Sequence, residues 1–472
     1  MVRPVRLDDP SSVLGDPRID DIVARIGAPG GYPAFEEAVR RAGCCRRPVR
    51  LRGRVTRVDG TASRVVFDTE ELSDRVLLKA CGSRRETLCP PCASVYRADA
   101  FQLVAAGLRG GKGIPQSVTS RPAALVTLTA PSFGPVHRRG NHGTCHRRPR
   151  RCPHGVLTCA TRHGAHDRLL GQALCPACYD YEAAVLFNLS VSELWRRTSI
   201  YILRALGELA GISVRQIGRI VRLSYVKVVE FQRRGSVHVH AVLRLDARDD
   251  EAELPAVFDV ALLVQAVALA VRRVHAPVAG DRGPDARRVH WGPQLEVAPI
   301  TEVENGRARA AAYLAKYSTK SSDGRGLLDH QLRGELPDQV DLAPQLRRLV
   351  EEAWALGAQE RYSELHVRAW AHALGFRGHF ATKSRRYSTT FGVLRGLRRE
   401  WRVARENGPS GVAPDGADQM HGGELEIGEW EVKGMGYATR GDAWLAEGLA
   451  RRLTDARRSS FEDRACAWRS VA

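Results

Sequence analysis

The sequence predicts an α+β fold with zinc-binding modules and a helical C-terminal region, on three observations. Runs with two-residue alternation are interleaved with helical runs from residue 121 to about 325. Two Cys-x-x-Cys pairs, Cys89/Cys92 and Cys175/Cys178, lie in cysteine-rich stretches with little periodicity. Beyond residue 330 the pattern is mostly helical and rich in arginine. These divide the chain into residues 1–120 with a first zinc module, 121–325 as the core with a second module inserted at 145–180, and 326–472 as a basic accessory region.

In order, the expected elements begin with a helix at Tyr32–Arg41 and strands at Val49–Val58 and Arg64–Asp68. An apolar strand follows at Ala124–Thr129, then a helix at Glu182–Leu206. A hairpin near Leu223–Leu245 precedes a helix at Ala256–Val274, a strand at Gln294–Ile300 and a helix at Arg307–Lys320. A Gly-, Pro- and Asp-rich loop occupies Asn407–Gly423.

The 472 residues carry 72 Lys plus Arg against 53 Asp plus Glu, a formal charge of +19. Such an excess suits a polyanion, because each phosphate neutralised by a cation releases a condensed counterion. No apolar run approaches the ~18 residues needed to span a bilayer, and the first residues lack the apolar core of a signal peptide. The expectation is a cytoplasmic, DNA-associated protein with no membrane partner. In that compartment clustered cysteines signal metal more than disulfides, and all 11 except Cys466 lie between Cys44 and Cys178.

The sharpest local signal is the hairpin. Two β-branched runs, Tyr225–Phe231 and Val237–Leu243, flank a turn containing Gly235. Residues two apart on a strand share a face, so His238 and His240 project together. If the turn centres on Arg233–Gly235, Glu230 stands opposite His238 on that face. Two imidazoles and a carboxylate then form a three-ligand site with open positions, suited to a hard or borderline divalent ion such as Mg²⁺ or Mn²⁺. A lone His-x-His would read as a polar strand face; the matched Glu230 argues for more.

The second signal is Ala311-Ala312-Tyr313-Leu314-Ala315-Lys316-Tyr317-Ser318-Thr319-Lys320. Helical spacing puts Tyr313, Lys316, Tyr317 and Lys320 on one face. A phenol has a reference pKa near ~10 and needs help to become a nucleophile. Nearby ammonium groups and a metal on the scissile phosphate would supply it. Taken alone, the pair would read as tyrosines packed on a core.

The cysteines read as two structural Zn²⁺ sites. Cys89 and Cys92 would be completed by Cys81 and one of Cys44 or Cys45. Cys175 and Cys178 have several candidate partners, among which Cys152 or Cys159 with His154 are favoured over Cys145, His163 and His166. Between them run Arg147, Arg148, Arg150 and Arg151, an array suited to duplex DNA. Lys383, Arg385 and Arg386 alternate with Phe380 and Tyr387, a mixture that fits phosphate contact with base stacking.

With these residues in hand, the chain resembles rolling-circle replication initiators of actinobacterial plasmids and integrative conjugative elements, within the HUH endonuclease superfamily. The resemblance rests on three motifs in order: Leu125-Val126-Thr127-Leu128-Thr129, His238-Val239-His240, and Tyr313 to Lys320 with its spaced tyrosine pair. Cys81–Arg85 with Cys89–Cys92, and Gly375–Ser388, resemble the actinobacterial group. It implies a central antiparallel sheet flanked by helices and a catalytic divalent ion. It also implies tyrosine attack at the double-strand origin, giving a 5′-phosphotyrosine link and a primer 3′-hydroxyl. The second tyrosine would then cut and rejoin the displaced strand. Origin DNA, duplex and single-stranded, would be the partner, with a host helicase and polymerase. One departure stands out: roughly a hundred residues separate the first motif from the histidine pair, room for the inserted cysteine module.

Two other readings compete. A two-tyrosine HUH transposase would share the chemistry, and a zinc-ribbon DNA-binding regulator would share the cysteines. The regulator has no need for Glu230, His238, His240, Tyr313 and Tyr317 to converge.

Overall fold

The computed structural model describes residues 16–28, 30–59, 62–140, 143–249, 252–281, 283–301, 305–319, 328, 331–332, 334, 342–406 and 424–469. The first half holds α1 (Pro17–Gly27), α2 (Gly31–Arg41), β1 (Val49–Asp59), β2 (Ala62–Asp68), β3 (Leu77–Lys79), α3 (Pro90–Arg109), β4 (Ala123–Thr129), α4 (Tyr181–Leu209), α5 (Val214–Ile220) and β5 (Val221–Phe231). There follow β6 (Val237–Ala247), α6 (Val260–Arg273), β7 (Ala276–Pro277), β8 (Arg288–Val289), β9 (Leu295–Pro299), α7 (Asn305–Thr319), α8 (Pro344–Leu356), β10 (Ala381–Lys383), α9 (Phe391–Glu406), β11 (Glu424–Met435) and α10 (Arg440–Arg469). The protein is α+β with antiparallel sheets. No helix among the described residues is long and apolar enough to cross a membrane.

Contacts group the chain into two units, residues 1–96 with 400–472 and residues 97–399. In the first unit β1 is central, pairing antiparallel with β11 on one side and with β2 and β3 on the other. Phe35 and Val39 of α2 pack with Ala446 and Leu449 of α10. The expected helical C-terminal region holds α8, α9 and α10 but also a strand that the sequence reading does not anticipate. Leu425, Ile427, Trp430 and Val432 mark a strand, and its hydrogen bonds are satisfied by β1 from the far end of the chain.

The second unit is built on a five-stranded antiparallel sheet in the order β10-β5-β6-β4-β9. Alternation on β6 sends Val237, Val239, Ala241 and Leu243 into the large core with α4, α6 and α8. The opposite phase, Val226, Val228 and Val242, meets Leu103 and Leu108 of α3, Ala310 and Leu314 of α7 and Leu394 of α9. His238 and His240 belong to this second phase. Side-chain caps fix the long helices: Asp180 accepts from the Ala183 amide (2.8 Å) and Asp259 from that of Leu262 (2.7 Å).

Buried polar contacts lock the β5–β6 turn. Asn188 of α4, fully buried, donates to the Gly235 and Leu374 carbonyls and accepts from the Val237 amide at 2.9 Å. Gly235 sits at φ +81°, and a Cβ there would fall 2.2 Å from Leu349 Cδ1. Both the backbone angle and the close approach of α8 demand glycine.

Lys227 on β5 is an exception to the apolar core. It is 5% exposed, with Nζ 5.8 Å from the Trp195 ring centroid. Burial pushes its ammonium from 10.5 down to about 8. The unfolded chain keeps this proton up to its ordinary value, whereas the folded chain releases it above about 8. Stability contributed here is therefore lowest below pH 8 and rises between about 8 and 10.5. The Lys227→Met variant is expected to be more stable at pH 7 by ~1–3 kcal/mol, an advantage that shrinks by pH 10. Urea unfolding at both pH values checks this; an equal difference at both would refute it.

Candidate active site

The hairpin register decides which side chains meet. Glu230 on β5 pairs with His238 on β6, and β4 places Thr129 beside His238 and Thr127 beside His240. Thr127 in turn pairs with Glu296 on β9. Nδ1 of His240 lies 3.2 Å from Thr127 Oγ1, and Nδ1 of His238 lies 3.1 Å from Thr129 Oγ1. These contacts fix both ring orientations, as partners on the far nitrogen commonly do for metal-binding imidazoles.

Helix α7 brings the phenols to the same face. Its buried Arg307 donates to the carbonyls of Leu108 (2.9 Å) and Thr119 (2.7 Å), pinning the first turn. Ala310, Ala311 and Leu314 then seat the helix against the sheet. The Tyr317 ring stacks on His240 with centroids 4.1 Å apart and planes 28° from parallel. The Tyr313 hydroxyl lies 3.5 Å from His240 Nδ1, and the two phenol rings are 4.7 Å apart. Burial, followed by the neighbouring Tyr317, raises the Tyr313 phenol well above its ordinary range. Ionising it at neutral pH requires positive charge nearby.

Glu230, His238, His240, Tyr313 and Tyr317 all line one open cleft of about 580 Å³. Lys316 is exposed and is not part of its wall; Lys320 lies outside the described residues. The cleft also contains Thr127, Thr129, Gln232, Gln294 and Glu296, which sequence reading did not assign to the site. Their signal was phase: each threonine alternates with leucine, and Glu296 sits between Leu295 and Val297.

These residues fit a divalent ion. Nε2 of His240 is buried without a hydrogen-bond partner and lies 3.6 Å from a Glu230 carboxylate oxygen. An orphaned buried nitrogen beside a carboxylate is costly unless something bridges them. Nitrogen and oxygen donors with room for further ligands suit a hard or borderline cation.

The cysteines fall into groups that could hold a metal such as zinc. Cys45, Cys81, Cys89 and Cys92 gather in the first unit, with amides of Cys81 and Arg46 donating to Cys45 Sγ (3.2 Å) and Cys89 Sγ (3.3 Å). Cys44 is excluded: at φ +53° it turns away from its neighbour into the core of α2 and α10. In the insertion Cys152, His154, Cys175 and Cys178 come together, His154 Nδ1 lying 3.1 Å from Cys178 Sγ. Cys159 does not join them. The hairpin that carries it folds back, its carbonyl accepting from the His146 amide at 3.0 Å, and delivers it to His137, Cys145 and His163.

Arg147, Arg148, Arg150 and Arg151 are exposed on that hairpin. Arg385 and Arg386 are exposed, whereas Lys383 on β10 is half-buried and donates to the Arg385 carbonyl (3.2 Å). Burial lowers its ammonium. Tyr387 cannot stack on a base. It is fully buried against Gly107 and Arg244, its hydroxyl donating to the Val104 carbonyl.

A family model described as the replication initiator protein of pSAM2 (RepSA) matches residues 31–451. Over 457 residues the chain is 38% identical to a replication initiator protein of Streptomyces ambofaciens, covering 94% of this chain and 95% of that relative. No solved structure matches it. The chain therefore belongs to the pSAM2 replication initiator protein family.

Proposed function

We propose that this chain starts rolling-circle replication by nicking one strand of origin DNA through a tyrosine and later rejoining it. The observation that carries the reading is the convergence of two histidines, a carboxylate and two phenols on one cleft wall, with His240 in contact with both tyrosines. The antiparallel sheet with its histidine strand flanked by β4 and β5 is the arrangement expected of an HUH nuclease.

Glu230, His238 and His240 would hold Mg²⁺ or Mn²⁺, which when bound polarises the scissile phosphate and orients it for attack. Thr127 and Thr129 hold the imidazoles in place through Nδ1. The phenol oxygen of Tyr313 or Tyr317 attacks phosphorus in line. Its proton passes to solvent, the P–O3′ bond breaks, and the 3′ oxygen leaves as a hydroxyl after taking a proton. The phosphotyrosine bond conserves the phosphodiester's energy, so rejoining needs no nucleotide. A second tyrosine on the same face lets the protein cut the regenerated origin while the first still holds DNA. Lys316 and the exposed arginines are assigned to the phosphate backbone. A host helicase and polymerase supply unwinding and synthesis.

The expected result is metal-dependent relaxation of a supercoiled plasmid carrying the element's origin, with no relaxation of the same plasmid lacking it. Relaxation in EDTA, or none with Mg²⁺ or Mn²⁺, would refute the proposal.

A further inference from the structure

The insertion between β4 and α4 has the burial pattern of a segment that apolar packing alone cannot fold. From residue 137 to 178, the buried described residues are Cys145, His163, Gly171 and Cys175. Three of these four are potential metal ligands, while Val156, Leu157 and Leu169 are exposed. A stretch of ~40 residues with so little apolar burial needs a staple, and its cysteines are free thiols.

Its ligand residues occur as four successive pairs: His137/Cys145, Cys152/His154, Cys159/His163 and Cys175/Cys178. The first and third pairs form one group, the second and fourth the other, with donor atoms in each within 4.8 Å of one another. Such alternation is a cross-brace, in which the chain cannot complete one group without passing through the other.

The first group has the details of a closed tetrahedral site. His163 Nε2 lies 3.4 Å from Cys159 Sγ and 3.2 Å from His137 Nδ1. His163 Nδ1 is 2.6 Å from an Asp167 carboxylate oxygen, which fixes the ring with Nε2 toward the group. Backbone amides of Arg138 and Thr161 donate to Cys145 Sγ (3.3 Å) and Cys159 Sγ (3.4 Å), contacts that favour thiolates. Two thiolates with two imidazoles suit Zn²⁺. The hairpin bearing the exposed arginines runs from the first pair to the third and carries the second pair at its turn, so both groups hold it.

We propose that residues 137–178 form a cross-braced module binding two zinc ions, one of them at His137, Cys145, Cys159 and His163, and that the two ions stabilise it as a unit. With the Cys45/Cys81/Cys89/Cys92 group, the described residues then offer three zinc sites.

Elemental analysis of the purified full chain tests this, with three zinc per chain expected and two or fewer overturning the new site. The Cys159→Ser variant is expected to fall to about one zinc, since metal and folding are coupled in such modules; retention of two overturns the cross-brace. Should that variant not fold, the wild-type protein still decides the matter. Stepwise titration with a mercurial thiol reagent, read by a zinc indicator, is expected to release two zinc ions in one phase and one in another. Three separate phases overturn the coupling.

Discussion

Replacing His240 with alanine is expected to lower origin nicking on the order of 10³-fold while leaving the protein folded. His240 is 2% exposed and is the side chain on which the cleft converges. It meets Thr127 through Nδ1, Glu230 through Nε2, and both phenols through its ring. Its removal deletes one of the three proposed ligands and the surface on which Tyr317 stacks. The register of β6 between β5 and β4 rests on backbone hydrogen bonds and on the opposite apolar face, so circular dichroism should be unchanged. Thr127→Val leaves the ligand in place but loosens its orientation, which typically weakens metal binding by about 10–100-fold. That variant should recover with excess Mn²⁺, whereas His240→Ala should not. Wild-type nicking by His240→Ala would refute the metal assignment.

The Tyr313→Phe, Tyr317→Phe double variant is expected to lose more than ~10³-fold of covalent adduct formation, because no hydroxyl remains to attack. Phenylalanine preserves the ring packing of both positions against His240 and the apolar seat of α7. Each single variant keeps one nucleophile. It should still nick and form an adduct, yet fail to release closed circles, because the second cut needs a tyrosine not already bonded to DNA. Denaturing gels separate adduct from circular product. Normal circle release by either single variant would show that one tyrosine suffices.

The relation between sequence and structure differs from element to element. The trio Glu230, His238 and His240 was legible because strand alternation fixes phase and a short turn fixes register. The tyrosines followed from helical spacing. Thr127, Thr129 and Glu296 were not recognised as neighbours of the site. Their phase is written in β4 and β9, but β4 inserts between β6 and β9 through long-range pairing that local pattern does not specify. The same limit hid the strand at Glu424–Met435, whose partner β1 begins at Val49. Cysteine spacing pointed to candidate ligands but not to their grouping: Cys159 is an alternative to Cys152 beside His154 in the sequence, yet it gathers with Cys145, His163 and His137, the last of which carries no spacing signal. Tyr387, set among cations, looked like a surface aromatic. Gly107 on α3 makes room for its ring, a Cβ there falling 2.3 Å from it, and that complement lies far away in sequence.

Tyrosine-linked nicking is tested most directly by mass spectrometry of the protein after incubation with single-stranded origin DNA and Mg²⁺ or Mn²⁺, followed by denaturation and digestion. A peptide containing Tyr313 or Tyr317 that carries a 5′-phosphate-linked nucleotide, and is absent in EDTA, is expected. A nucleotide on any other residue, or no adduct with either ion under conditions where the origin is nicked, would contradict it.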